Sequence, residues 1–171
     1  QKWEAGINID GKKKFLGNEV LGKTLGIVGL GNIGRQVAQR AKPFGMEIIA
    51  YDPFVSSDAA KDAGVALLGL DELYARADYI TLHLSLTPET RAMVNAESIA
   101  KMKDGVRIIN CARGELIDGL ALNEALSSGK VAGAALDVFE TEPPLNSPLL
   151  DQENVVATPH IGGSTEEAQE K

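Results

Sequence analysis

Apolar residues in this chain fall into short continuous runs, and stretches with helical spacing separate one run from the next. The clearest unit extends from Thr24 to Asp52. Its first run, Leu25 to Leu30, leads directly into Gly29-Leu30-Gly31-Asn32-Ile33-Gly34. The spacing then predicts a helix with Ile33, Val37 and Ala41 on one face, ended by Pro43 and Gly45. A second run, Glu47 to Tyr51, finishes at Asp52, eighteen residues after the last glycine of the turn.

The same alternation continues. Helices are predicted over Ser57–Ala63, closed by Gly64, and over Leu70–Ala77, with Asp71 a candidate N-cap. Two more are predicted over Asn95–Met102 and over Leu120–Ser128, stopped by Gly129. Strands are predicted over Val65–Leu68, Tyr79–Leu84, Val106–Asn110, Val131–Val138 and Val155–Ala157. Pro143, Pro144 and Pro148 make an irregular loop. A capping-box pattern, Ser164 with Glu167, opens a last helix. Strands that read as unbroken apolar runs belong to a parallel sheet buried on both faces. With right-handed crossovers this predicts an α/β fold, a Rossmann-type doubly wound parallel sheet with helices on both faces.

The glycine turn has a physical reading. Gly29 permits a tight turn out of the strand, Gly31 lets backbone approach a pyrophosphate, and Gly34 lets the helix pack against the strand. The helix N-terminus offers free N–H groups to phosphates. Asp52 can accept hydrogen bonds from the adenosine ribose hydroxyls. Strand, turn, helix, second strand and acid together predict a dinucleotide site.

Composition narrows the class. The 171 residues are 44% hydrophobic, as in a globular chain able to bury a core. The net charge of −7 argues against nonspecific nucleic-acid binding. No apolar run approaches the length of a membrane span. One cysteine makes no internal disulfide, which fits a cytoplasmic protein. The chain starts at Gln1 and stops inside a predicted helix, which suggests a domain cut from a longer protein. Residues 1–20 form a lead-in arm before the dinucleotide-binding domain at 21–171. Trp3, Phe15 and the Lys12–Lys14 run lie in that arm, and its aromatics are candidate anchors on a second copy.

In an open parallel sheet, ligands bind outside the carboxyl ends of the strands. The polar residues just past a predicted strand are Asp52, His83, Arg113, Asp137, Glu142 and His160. Arg113 can hold a carboxylate with two parallel hydrogen bonds, or be a surface arginine in a turn. His160 suits proton transfer at neutral pH, and a carboxylate at Glu142 would orient it and favour its protonated form. Cys111, with no base beside it, reads as a small buried residue, and His83 as a structural histidine. Two histidines and one cysteine without ligand spacing predict no metal site.

GLGNIG, Asp52-Pro53, NCARGELID, GAALDVFETEPP and TPHIGGSTEEAQ, in this order and spacing, resemble the D-isomer-specific 2-hydroxyacid dehydrogenases over nearly the whole chain. The resemblance implies NAD as cofactor and a catalytic set of Arg113, Glu142 and His160. Arg113 would bind the substrate carboxylate, His160 would be the acid/base, and Glu142 its partner. It implies cofactor contacts at Gly29, Gly31, Asn32, Ile33, Gly34, Asp52, Leu84, Cys111, Ala112, Asp137, Gly162 and Gly163. Asp137 would lie near the nicotinamide. Ser85 departs from the family, where many members have proline. The resemblance further implies a phosphorylated 2-hydroxy acid as substrate, a homodimer, and a substrate domain outside this chain. Alternatives on the same scaffold are a glyoxylate- or D-lactate-type dehydrogenase and an NAD-sensing transcriptional corepressor.

Overall fold

The computed structural model describes residues 17–170. Trp3, Phe15 and the Lys12–Lys14 run therefore lie outside the described residues. Seven parallel strands form one sheet: β1 (Thr24–Val28), β2 (Glu47–Tyr51), β3 (Ala66–Leu67), β4 (Tyr79–Leu82), β5 (Val106–Asn110), β6 (Val131–Leu136) and β7 (Val155–Ala157). Their order is β3-β2-β1-β4-β5-β6-β7. The chain winds outward from β1 to β3, then crosses back to β4 and winds the other way. The switch point therefore lies between β1 and β4, where Leu25 pairs with Tyr79 and Val28 with Leu82.

The helices are α1 (Asn32–Ala41), α2 (Ser57–Asp62), α3 (Leu70–Arg76), α4 (Ala96–Lys101), α5 (Gly119–Ser128) and α6 (Glu166–Gln169). Two separate cores show that helices cover both faces. Ala38 and Ala41 of α1 and Ala60 of α2 pack with Leu25, Ile27, Ile48 and Ala50 of the sheet. Leu73 and Tyr74 of α3, Ile99 of α4 and Leu122 of α5 pack with Ile49, Ile80, Leu82 and Ile108 on the other face. Fully buried side chains such as Ile27 and Ile49 each contribute about 1.5–3 kcal/mol.

Four local expectations are corrected. Of the face Ile33, Val37 and Ala41, only Ala41 is buried and Val37 half-buried, whereas Ile33 is 66% exposed, because α1 turns Gly34 and Ala38 inward beside Ala41. Gly34 dictates this: a Cβ there would lie 2.1 Å from the Gly29 carbonyl oxygen, so only glycine allows the contact. The N-cap of α3 is Gly69, not Asp71, which falls in the first turn and pairs with Lys101 at 3.1 Å. The N-cap of α6 is Thr165, not Ser164; its hydroxyl accepts from the Ala168 N–H at 3.2 Å. Four apolar runs outlast their strands; of the Val65–Leu68 run only Ala66–Leu67 pairs, as β3. β1 stops at Val28, where Gly29 turns away at φ +95. β4 stops at Leu82, although the His83 N–H still donates to the Val28 carbonyl at 2.8 Å. β6 stops at Leu136, because Asp137 turns to bind the loop after β7.

Candidate active site

The first half of the site is backbone. Gly29 sits at φ +95, and a Cβ there would lie 2.6 Å from the His83 carbonyl oxygen. Gly31 is the N-cap of α1, has no side-chain cap, and no acid follows in the first turn. A Cβ on Gly31 would meet nothing within 4 Å, so space lies open in front of the helix. Among the described residues, no protein group accepts from the N–H groups of Asn32, Ile33 or Gly34. A bare helix N-terminus with open space ahead of it fits a pyrophosphate.

Asp52 follows β2 and fixes this turn. One carboxylate oxygen accepts from the Leu30 N–H at 2.8 Å and the other from the Phe54 N–H at 2.9 Å. Each oxygen keeps a lone pair for a ribose hydroxyl. Leu84, after β4, lies against Gly29 and is half-buried. The residues present thus fit an adenine dinucleotide across the switch point.

The second half is built by side chains. Asn110 ends β5, and its amide bonds Ala112 and Arg113 in the following turn. Arg113 donates from Nη1 to the Ala112 carbonyl at 2.6 Å. Gly114 lets this turn approach the next loop: a Cβ there would lie 1.9 Å from the Phe139 carbonyl carbon. Cys111 is exposed rather than buried as expected. Desolvation of the sulfur and the charge of Asp137 still push its thiol pKa up, so it is not an activated nucleophile.

Asp137 is 4% exposed and fully engaged. It accepts from the Thr158 hydroxyl at 2.6 Å, the Ile161 N–H at 2.8 Å and the Gly162 N–H at 2.7 Å. Burial raises its pKa, but these three donors and the nearby His160 outweigh that and hold it below the ordinary value. The clamp closes around His160, which takes a left-handed φ of 55.

Glu142 joins the same loop. Its Oε2 lies 2.9 Å from His160 Nδ1, and its Oε1 accepts from the Phe139 N–H at 3.1 Å. The bond to His160, then that from Phe139, holds its carboxyl below the usual range. An ionised Glu142 offers only lone pairs, so Nδ1 carries the proton and Nε2 is left free. A cavity of about 430 Å³ opens beside the pair, lined by Asp137, Phe139, Glu142, Thr158 and His160 among others.

Glu142, His160, Asp137 and Gly162 therefore meet. Arg113 stands on the neighbouring strand end, and among the described residues no hydrogen bond or ion pair joins it to them. Gly163 follows in the same turn, and a Cβ there would meet nothing within 4 Å. His83 is half-buried, with Nε2 3.0 Å from the Thr81 hydroxyl, and burial pushes its pKa down, as suits a structural histidine. Asn110, Gly114 and Thr158 were not singled out from sequence. For Asn110 the usable signal was an Asx residue at a strand end before small residues. Among the described residues no group of histidine, cysteine and carboxylates could hold a metal ion.

Residues 1–162 match the family described as D-isomer specific 2-hydroxyacid dehydrogenase, NAD binding domain. The chain is 57% identical over 159 residues to D-3-phosphoglycerate dehydrogenase of Methanocaldococcus jannaschii, covering 92% of this chain and 30% of that protein. It is 50% identical over 170 residues to the Homo sapiens D-3-phosphoglycerate dehydrogenase, covering 99% of this chain and 31% of that protein. Among solved structures, a glyoxylate reductase from Paecilomyes thermophila superposes with a TM-score of 0.87 at 45% identity, over 94% of this chain and 48% of that one. A D-lactate dehydrogenase from Aquifex aeolicus, complexed with NAD and lactic acid, gives 0.84 at 38% identity, over 92% and 52%. The chain thus spans less than a third of the phosphoglycerate dehydrogenases it matches.

Proposed function

The chain belongs to the D-isomer-specific 2-hydroxyacid dehydrogenase family as its NAD-binding domain, and we propose that the protein it forms part of oxidises 3-phosphoglycerate to 3-phosphohydroxypyruvate, the entry to serine synthesis. The Glu142–His160 contact at 2.9 Å, on the same sheet edge as the glycine turn, carries the chemistry. The higher identity to phosphoglycerate dehydrogenases than to the glyoxylate and lactate enzymes supports the choice of acid.

Bound NAD would supply the acceptor for the hydride leaving C2 of the substrate. His160, through Nε2, takes the hydroxyl proton as the carbonyl forms, and returns it in the reverse direction. Glu142 holds the imidazole in the tautomer that leaves Nε2 free. Arg113 binds the substrate carboxylate and, in reverse, polarises the carbonyl. Asn32, Ile33 and Gly34 offer N–H groups to the pyrophosphate, and Asp52 receives the ribose hydroxyls. Leu84, Cys111, Ala112, Gly162 and Gly163 would line the cofactor, with Asp137 near the nicotinamide. Asp52 places negative charge where a 2′-phosphate would sit, and Pro53 and Phe54 bring no cation to offset it, so NAD is preferred over NADP.

The substrate domain and its phosphate-binding cations would come from residues outside this chain. A cytoplasmic location and a homodimer through the leading arm complete the reading. Full-length protein assayed on 3-phosphoglycerate, glyoxylate and D-lactate, each with NAD and NADP, tests it. Highest kcat/KM for 3-phosphoglycerate with NAD is expected; a preference for either other acid overturns the substrate, and activity on none overturns the enzyme. The isolated chain should bind NAD yet turn over negligibly, since a missing domain leaves the substrate unoriented.

A further inference from the structure

Asn110 is 1% exposed and reaches neither the glycine turn nor the Glu142–His160 pair through its side chain. Its carboxamide is used at both ends. Nδ2 donates to the Arg113 carbonyl at 2.8 Å, and Oδ1 accepts from the Ala112 N–H at 3.0 Å. Its backbone carbonyl accepts from the Asp137 N–H at 2.9 Å. The two partners fix the orientation of the amide, because a carbonyl needs a donor and an N–H needs an acceptor.

Few side chains can meet both demands. Aspartate has the same shape but would set a carboxylate oxygen against the Arg113 carbonyl. Serine can reach one partner at most. Alanine leaves the Ala112 N–H, in a half-buried turn, without this acceptor. Ala112 is also the residue whose carbonyl accepts from the Arg113 guanidinium at 2.6 Å. The peptide groups before Ala112 and after Arg113, which bracket this two-residue turn, are therefore tied to one buried amide.

We propose that Asn110 is a positioning residue for Arg113: its buried carboxamide fixes the Ala112–Arg113 turn, and so the angle at which the guanidinium meets the substrate carboxylate. This rests on the reading of Arg113 as the carboxylate-binding residue. A displacement of about 1 Å in such a group can cost on the order of 100-fold in rate.

The test uses the full-length enzyme with Asn110→Ala, Asn110→Asp, Asn110→Ser, Arg113→Ala and the double variant Asn110→Ala/Arg113→Ala. Steady-state kinetics on the hydroxy acid are set beside NAD affinity from calorimetry. Asn110→Ala and Asn110→Asp should lower kcat/KM by about 10- to 100-fold, with much of the loss in KM for the acid. Asn110→Ser should lose less, and NAD affinity should change by less than about threefold in each. On the Arg113→Ala background, Asn110→Ala should add less than about a twofold loss, since the two act as a unit. If Asn110→Ala does not fold, Asn110→Ser carries the comparison. Fully additive losses, or NAD affinity falling in step with kcat/KM, would overturn the proposal while leaving the role of Arg113 intact. Undiminished activity of Arg113→Ala would overturn that role and the proposal with it.

Discussion

Helices α1 and α5 are each ten residues long and each follows a strand of the same sheet, yet they begin in opposite ways. Helix α1 starts from Gly31, with no side-chain cap and no acid in its first turn. Helix α5 starts from Asp118, whose carboxylate accepts from the Leu120 N–H at 3.0 Å and the Ala121 N–H at 3.1 Å. A helix end capped by glycine instead of a side-chain acceptor gives up only a few tenths of a kcal/mol. What it retains is unsatisfied N–H groups and the positive end of a dipole facing open space. The two ends differ because one is built to receive an anion from outside and the other only to hold the fold.

Making α1 resemble α5 gives the largest expected effect. Gly31→Asp adds a cap and a negative charge where the pyrophosphate would come. The apo fold should accept it, because a Cβ there meets nothing within 4 Å. Like charges brought together cost several kcal/mol, so NAD affinity should fall by about 100-fold or more. Calorimetry with NAD and a thermal melt of the apo chain measure the two sides. A raised or unchanged Tm with lost binding is expected, and retained binding would refute the assignment of this helix end.

The next effect contrasts the glycines of the same two helices. Gly34→Ala drives a Cβ to 2.1 Å from the Gly29 carbonyl oxygen, whereas a Cβ at Gly119 would meet Leu149 at an ordinary 3.7 Å. Gly34→Ala should cost at least about 1–3 kcal/mol, and Gly119→Ala should be neutral or stabilise by up to ~1 kcal/mol. Urea titration of both variants checks this. Equal small effects would mean that α1 does not depend on its close approach to the turn.

These contrasts also show what sequence could and could not reveal. The apolar runs of β2, β5 and β7 coincide with their strands to the residue, because each is bounded by polar or turn-forming neighbours. The glycine turn was legible because a missing Cβ is itself a steric message. Ile33 is exposed although its spacing groups it with Val37 and Ala41, because apolar spacing carries no information about the contact Gly34 makes. Asn95 was read as the first helical residue but caps α4, with Ser98 returning the bond to its N–H at 2.9 Å. The Asp137 clamp joins residues 21 to 25 positions apart, and only the folded sheet brings them together. The strand-end rule draws Arg113, Glu142 and His160 into one list and side-chain chemistry suggests a role for each, but on position alone each has a bland alternative, and the resemblance to a family decides between them.

Where α1 relies on bare backbone, the far end of the sheet relies on carboxylates, and acid should separate the two. Asp137, held by its three donors, and Glu142, held by His160 and the Phe139 N–H, both have carboxyls below the usual carboxylate range. A depressed carboxyl pKa contributes stability that is complete above the unfolded-state value and is lost as pH falls through the folded one. Stability of the chain should therefore drop below about pH 4, with the buried Asp137 giving more of the effect than the more exposed Glu142. Asp137→Asn should cost about 1.5 kcal/mol at pH 7 and flatten the decline. Urea midpoints between pH 3 and 7 for both proteins would show it; parallel pH curves would mean Asp137 is not the titrating clamp.

The smallest effect completes the comparison from the other side, by uncapping α5. Asp118 satisfies two N–H groups, and its charge faces the positive end of the helix dipole. Asp118→Ala removes both contributions and should destabilise the fold by about 1 kcal/mol, while Asp118→Gly, the residue α1 uses, should cost only a few tenths more than nothing because solvent can reach the freed donors. The N–H groups that lose the carboxylate belong to Leu120, 70% exposed, and to half-buried Ala121. An uncapped α5 should still gain no affinity for NAD or pyrophosphate, since it lacks the left-handed glycine before the turn, and the acid that follows the adjoining strand, Asp137, is taken up by Thr158, Ile161 and Gly162. Melting curves in the absence and presence of NAD separate the two contributions: the ligand-induced rise in Tm should match that of the unaltered chain in both variants. A reduced rise would mean that the N-terminus of α5 communicates with the cofactor turn, and the division of the two helices into a receiving end and a structural end would fail.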